Sequence, residues 1–153
     1  MPTPDPSSKP GRVSPERVVS LAVAVTAIHL AASVLGLQDT STALAISGVV
    51  NVALFGVGII LFVAAFLVAA GRSRTEDLWF GGVFFLTGDV APTNHRVVLL
   101  ACVATQTIVG LAVAGLAPFT AAAFAVLVPL LGLAILAWYG SRFGRFSVKA
   151  EAQ

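Results

Sequence analysis

The chain has 153 residues, 58% of them apolar and 10% charged, with nine Lys and Arg against seven Asp and Glu for a net charge of +2. A soluble domain carries roughly 45–50% apolar and about 25% charged residues, so this composition excludes a water-soluble fold. The excess falls into four runs of roughly 20 or more residues, each able to cross a hydrocarbon core about 30 Å thick as a helix. The expected architecture is all-α: a polytopic integral membrane protein of four transmembrane helices in two antiparallel hairpins.

Residues 1–14 carry Pro2, Pro4, Pro6 and Pro10 with Ser7, Ser8 and Gly11, a composition that reads as a disordered cytoplasmic tail. Ser14-Pro15-Glu16 then supplies an N-cap, a proline for the first helical position and an acid at the positive end of the helix dipole. The first span is expected over about 18–37. At about 20 residues it exceeds the roughly 7–15 of a signal-peptide core, and no clean small-x-small site follows it, which favours a retained helix. Gly36 suits its end, and the connection Gln38 to Thr42 holds Asp39 and no basic residue. The second span, about 43–70, would measure about 42 Å as one helix, so it must tilt, bend or protrude.

A loop over 71–96 separates the hairpins. Ser73-Arg74-Thr75-Glu76 has capping-box spacing and predicts a helical turn starting near Glu76. Gly81-Gly82 argues against a continuous helix through Leu78 to Leu86, and those nine residues are too few to cross as one. The expectation is an interfacial or re-entrant segment in which Trp79 and Phe80 sit at headgroup level. Thr87-Gly88-Asp89 and Pro92 turn the chain back, and Thr93 is placed as the cap of the third span, about 97–116. Pro118 is expected to start the fourth span, about 118–140, with a kink at Pro129. Trp138 and Tyr139 fit an interfacial belt, and Arg142 to Phe146 a basic-aromatic anchor, within a basic cytoplasmic tail over 142–153.

The nine basic residues fall at alternate ends of the runs: Lys9, Arg12 and Arg17; Arg72, Arg74 and Arg96; Arg142, Arg145 and Lys149. They can all face one side of a membrane. The positive-inside pattern then puts both termini and the 71–96 loop in the cytoplasm, in a bacterial-type inner or plasma membrane, and accounts for the basic balance without nucleic acid.

Most site chemistries are excluded by inventory. The lone Cys102 has no partner for an intrachain disulfide, and two histidines with one cysteine make no zinc, haem or iron-sulfur set. Small quinone-using disulfide-forming enzymes also have four helices but need cysteine pairs. Proton-coupled multidrug exporters of similar size match in helix count, but they use an acid within a helix, and all seven acids here lie outside the spans. There is no phosphate loop or nucleophile elbow. No cofactor and no metal are expected.

What remains within the spans is a mild polar set: Thr26, His29, Ser33, Asn51, Thr105, Gln106 and Thr107. Such groups should turn inward as interhelical glue, on faces formed by Ala22, Thr26, His29, Ser33 and Gly36 in the first span and by Gly48, Asn51, Phe55, Gly58, Phe62, Ala65 and Ala69 in the second. His29 lies twelve residues from Arg17 and Gln106 ten from Arg96, about 18 and 15 Å deep, so the two are expected to meet near midplane directly or through Thr105 or water. His29, Asn51 and Gln106 are therefore the candidate intramembrane contacts, and Trp79, Phe80, Asp89, His95 and Arg96 the candidate interfacial loop. An anion-binding version of that loop would add Arg72, Arg74, Glu76 and Asp77.

The leading functional reading is a non-enzymatic accessory or structural membrane component. A minimal oligomeric permease or channel comes second, and a lipid-binding protein or membrane enzyme using the loop third. Expected partners are the lipid bilayer and other membrane proteins or further copies of the chain.

Overall fold

The computed structural model describes residues 13–38 and 40–148. Residues 1–12 of the expected tail, Asp39 in the first connection, and 149–153 at the C-terminal end lie outside the described residues. Among the described residues the protein is all-α, with four helical segments long and apolar enough to span a membrane. Among the described residues strand pairing is confined to a single bridge between Glu76 and Val148.

Helix α1 (Pro15–Gly36) starts where the caps demand: the Ser14 hydroxyl accepts from the Arg17 N–H at 3.4 Å and Pro15 occupies the first turn. Its buried face carries Ala22, Thr26, His29, Ser33 and Gly36, while Ala27 is exposed. Helix α2 (Ser41–Arg72) is capped by the Thr40 hydroxyl and runs unbroken for 32 residues, about 48 Å at helical rise. It buries Ser47, Gly48, Asn51, Gly58 and Ala65, leaves Phe55, Phe62 and Ala69 half-buried, and presents its remaining apolar surface outward. That surface needs a hydrocarbon medium, as a lipid-facing helix does.

The second hairpin differs from expectation at both ends. Helix α4 (Thr93–Leu116) begins four residues early, with Pro92 at the N-cap and no side-chain cap, so Thr93 is a first-turn residue and His95 and Arg96 are helical. The fourth span begins at Ala121, because Phe119 takes a left-handed φ of 63° and breaks the chain after Pro118. It opens as a 3-10 helix (Ala121–Leu127) and becomes helix α5 (Pro129–Phe143) only at the proline. Pro129 has no N–H for the Ala125 carbonyl, and its ring would press on that carbonyl in an α-helix. The Val128 N–H supplies the bond instead, at 3.3 Å, in the tighter i to i+3 pattern. The fourth span thus changes helix type at Pro129.

The two hairpins close into a bundle chiefly through α2 against α5, with α1 against α4 on the other side. The main apolar core, at the loop end, gathers Val18, Val25, Leu86, Val90, Leu99, Ile135, Leu136 and Tyr139.

The loop segment is a further departure. Ser73 caps the end of α2 and no helix starts at Glu76, which turns back to pair with Arg72. Helix α3 (Phe80–Phe85) instead runs straight through Gly81-Gly82. A Cβ on Gly82 would sit 2.8 Å from the Phe146 ring and 2.9 Å from the Trp79 ring, so the bare backbone is what lets those rings close over it. Helix α3 does not cross: its inner face, Gly82 and Val83, packs on α5 beneath the bundle, and Leu86 ends it with φ 51°.

Candidate functional site

Two places concentrate polar side chains. The first lies inside the spans, where α1, α2 and α4 bring together six buried polar residues: Thr26, His29, Ser33, Ser47, Asn51 and Gln106. Asn51 Nδ2 donates to Ser47 Oγ at 3.3 Å, which turns its Oδ1 to His29 Nδ1 at 3.2 Å. Gln106 Nε2 donates to Thr26 Oγ1 at 2.8 Å, and that hydroxyl donates on to the Ala22 carbonyl at 2.8 Å. His29 and Gln106 are both fully buried and lie against one another, yet they do not bond side chain to side chain. Each is claimed by a different neighbour: His29 by α2 and Gln106 by the preceding turn of α1. Ser47 escaped the reading from residues, although it sits one turn before Asn51 on the same face. Gly132 on α5 is the other unforeseen element, since a Cβ there would lie 2.5 Å from Gln106 Oε1.

Each pair joins two helices, so each should be measurable as a coupling. Double-mutant cycles of His29→Ala with Asn51→Ala, and of Thr26→Ala with Gln106→Ala, are expected to give about 0.6 kcal/mol and at most about 1.7 kcal/mol each, because unpacked helices also find partners in a membrane. Additive losses in denaturant titrations of the purified protein would show that the contacts carry no energy.

The second place is the loop end. Arg72, in the last turn of α2, donates through Nε and Nη2 to Glu76, through Nη1 to the Ser141 carbonyl at 2.8 Å and through Nη2 to the Gly144 carbonyl at 3.0 Å. Its guanidinium also lies 5.5 Å from the centre of the Phe146 ring. One cation therefore caps the carbonyl end of α5, where helix carbonyls lack partners and the dipole is negative. Residues 144–148 are strapped across the loop by Asp77 N–H to Ser147 O at 2.9 Å and Arg145 N–H to Val90 O at 3.1 Å. This segment is packed against the protein through Phe146, whose ring meets Trp79 edge-on at 5.5 Å.

The loop residues expected to act together are separated. Trp79 and Phe80 are exposed, with Trp79 Nε1 bonded to Thr87 Oγ1 at 3.3 Å. His95 bonds the Tyr139 hydroxyl at 2.8 Å. Asp89 lines a shallow cleft of about 580 Å³ with Pro92, Thr93 and Arg145, and Arg96 is half-buried in the first turn of α4. Neither Arg72 nor Glu76 lines the cleft at Asp89. Among the described residues no three His, Cys, Asp or Glu side chains gather as a metal site. An apolar groove of about 350 Å³ does open between the end of α2 and α3, lined by Phe66, Leu78, Trp79, Phe80 and Phe84 among others.

The chain matches no family model, no curated protein and no solved structure.

Proposed function

We propose that this small membrane protein is a non-enzymatic accessory or structural component that acts through its surfaces, with both termini and the loop bearing α3 in the cytoplasm. The observation that carries the reading is the division of its chemistry. All described charged side chains, from Glu16 and Arg17 through Arg72 to Asp77, Asp89, Arg96, Arg142 and Arg145, lie at the end of the bundle where α1 and α4 begin and α2 and α5 finish. Within the spans, polar side chains bond to their own helix and, at His29 with Asn51 and Gln106 with Thr26, to a neighbouring one. Such an arrangement offers anchoring and contact rather than a charged path or a reactive group. Trp79, Phe80 and the groove beside them suit an interfacial anchor in the same leaflet.

Two experiments test it. With Cys102→Ala as background, single cysteines at Gln38 and Thr75 should react with an impermeant maleimide from opposite faces, Thr75 only from the cytoplasmic side; outside labelling at Thr75 would invert the topology. In liposomes loaded with a pH-sensitive dye, the purified protein should pass no more protons than protein-free vesicles. A flux that disappears in His29→Gln would replace this reading with the permease.

A further inference from the structure

The cleft at the loop end holds two opposite charges that do not meet. Asp89 stands on the short 3-10 turn Gly88–Val90 and Arg145 on the strap that follows α5, and both line the cleft of about 580 Å³ together with Ala91, Pro92 and Thr93. The main chains behind them are tied together. Val90, next to Asp89, is buried, its carbonyl accepts from the Arg145 N–H at 3.1 Å, and a Cβ on Gly144 would lie 2.9 Å from Val90 Cγ1. Among the described residues, neither the Asp89 carboxylate nor the Arg145 guanidinium has an ion-pair or hydrogen-bond partner, and the Thr93 hydroxyl has none either. Turn and strap are thus held against each other at the backbone while the cleft keeps their charged ends apart.

The two charges select the ligand. A lone anion at Arg145 would face repulsion from Asp89, and a lone cation at Asp89 repulsion from Arg145, so the cleft suits a molecule that carries both signs. Its volume lies within the range of small-molecule sites, roughly 300–1,000 Å³. All described charges lie at this end of the bundle, at headgroup level for a chain that spans the bilayer, and the zwitterions displayed there are lipid headgroups with a phosphate as the negative group. A guanidinium binds phosphate through two parallel N–H donors. The positive group must carry N–H to reach a carboxylate. A trimethylammonium has none and is recognised by aromatic faces, and no aromatic ring lines this cleft. A glycerol headgroup brings no cation, and a serine headgroup sets a second carboxylate against Asp89. What fits is a primary ammonium beside a phosphate.

We infer that the cleft between Gly88–Val90 and the strap binds the headgroup of a phosphatidylethanolamine, its ammonium donating to Asp89 and its phosphate accepting from Arg145 and the Thr93 hydroxyl. A lipid held in this way ties the strap to the loop and gives the protein a preference that basic and aromatic flanks do not, since those favour anionic lipids. The inference goes beyond the accessory role and does not rest on it, because a structural protein and a permease could both carry the site.

The test uses the full chain in maltoside micelles, with native mass spectrometry counting bound dioleoyl phosphatidylethanolamine, phosphatidylcholine or phosphatidylglycerol through a titration. The ethanolamine lipid should bind roughly ten-fold more tightly than the other two, the contribution of one charge-assisted hydrogen bond. Asp89→Asn should abolish that preference while the choline lipid binds as before, and Arg145→Gln should weaken binding of all three. Both side chains are exposed, so both variants should fold as the unaltered chain does. Equal affinities for the three lipids in the unaltered chain, or a preference that persists in Asp89→Asn, would overturn the site. Free phosphoethanolamine at the same concentration should leave the lipid bound; displacement of the lipid would overturn it as the ligand and assign the cleft to a soluble zwitterion.

Discussion

Gly140→Ala should undock α3 from α5 and lower stability, because forcing a methyl into a packed interface costs about 1–3 kcal/mol. A Cβ at this position would collide with the Val83 carbonyl oxygen and lie 3.0 Å from the carbonyl carbon and Cα of Val83. All three are main-chain atoms, so no side-chain rotation relieves them, and α3 must move as a unit. Alanine gains roughly 1 kcal/mol over glycine in a helix interior, which offsets only part of that cost. Gly56→Ala is the matched control: its added methyl meets nothing within 4 Å and keeps the same propensity gain, so stability should be unchanged or slightly higher. The check is denaturant titration in micelles, with Trp79 emission in a Trp138→Phe background reporting the docking of α3. Equal behaviour of the two alanine variants would mean that α3 does not rest on Gly140.

Leu86→Ala should cost about 2–5 kcal/mol, the usual range for truncating a buried leucine with partial collapse of the cavity. Leu86 is fully buried in the core that joins Val18, Val90, Leu99 and Tyr139, although its backbone is left-handed at φ 51°. An L-residue in that region costs about 1–2 kcal/mol, so packing is what holds this leucine at the end of α3. Alanine keeps the backbone cost and loses the packing. Glycine loses the packing but escapes the backbone cost, and so Leu86→Gly should be no worse than Leu86→Ala, whereas at an ordinary helical position glycine is worse by roughly 1 kcal/mol. Thermal unfolding of both variants in the same detergent measures the order. A clearly less stable glycine variant would remove the argument from φ.

The four spans were legible in the residues because membrane insertion reads a one-dimensional quantity, the length of an uninterrupted apolar run. Ser14-Pro15-Glu16 started α1 for a similarly local reason, since an N-cap acts within one turn. The inward face of α1 followed from spacing alone, because small and polar residues three and four apart must share a side of the helix.

Partnership was not legible. Gln106 chose Thr26 over His29, and His29 chose Asn51, because depth along the bundle axis says nothing about rotation around it. Arg72 read as one more topological charge, yet it caps α5 across 69 residues of sequence, a role that exists only once the ends of α2 and α5 are adjacent. The pair Gly81-Gly82 was read through helix propensity, but the rings of Trp79 and Phe146 close over Gly82, and that packing decides for a helix against a weak local preference of about 1 kcal/mol per glycine. Run length, caps and facial periodicity are properties of a segment by itself, and the sequence determined them; which faces meet, and which polar atoms they satisfy, depends on distances between segments that only the tertiary structure sets.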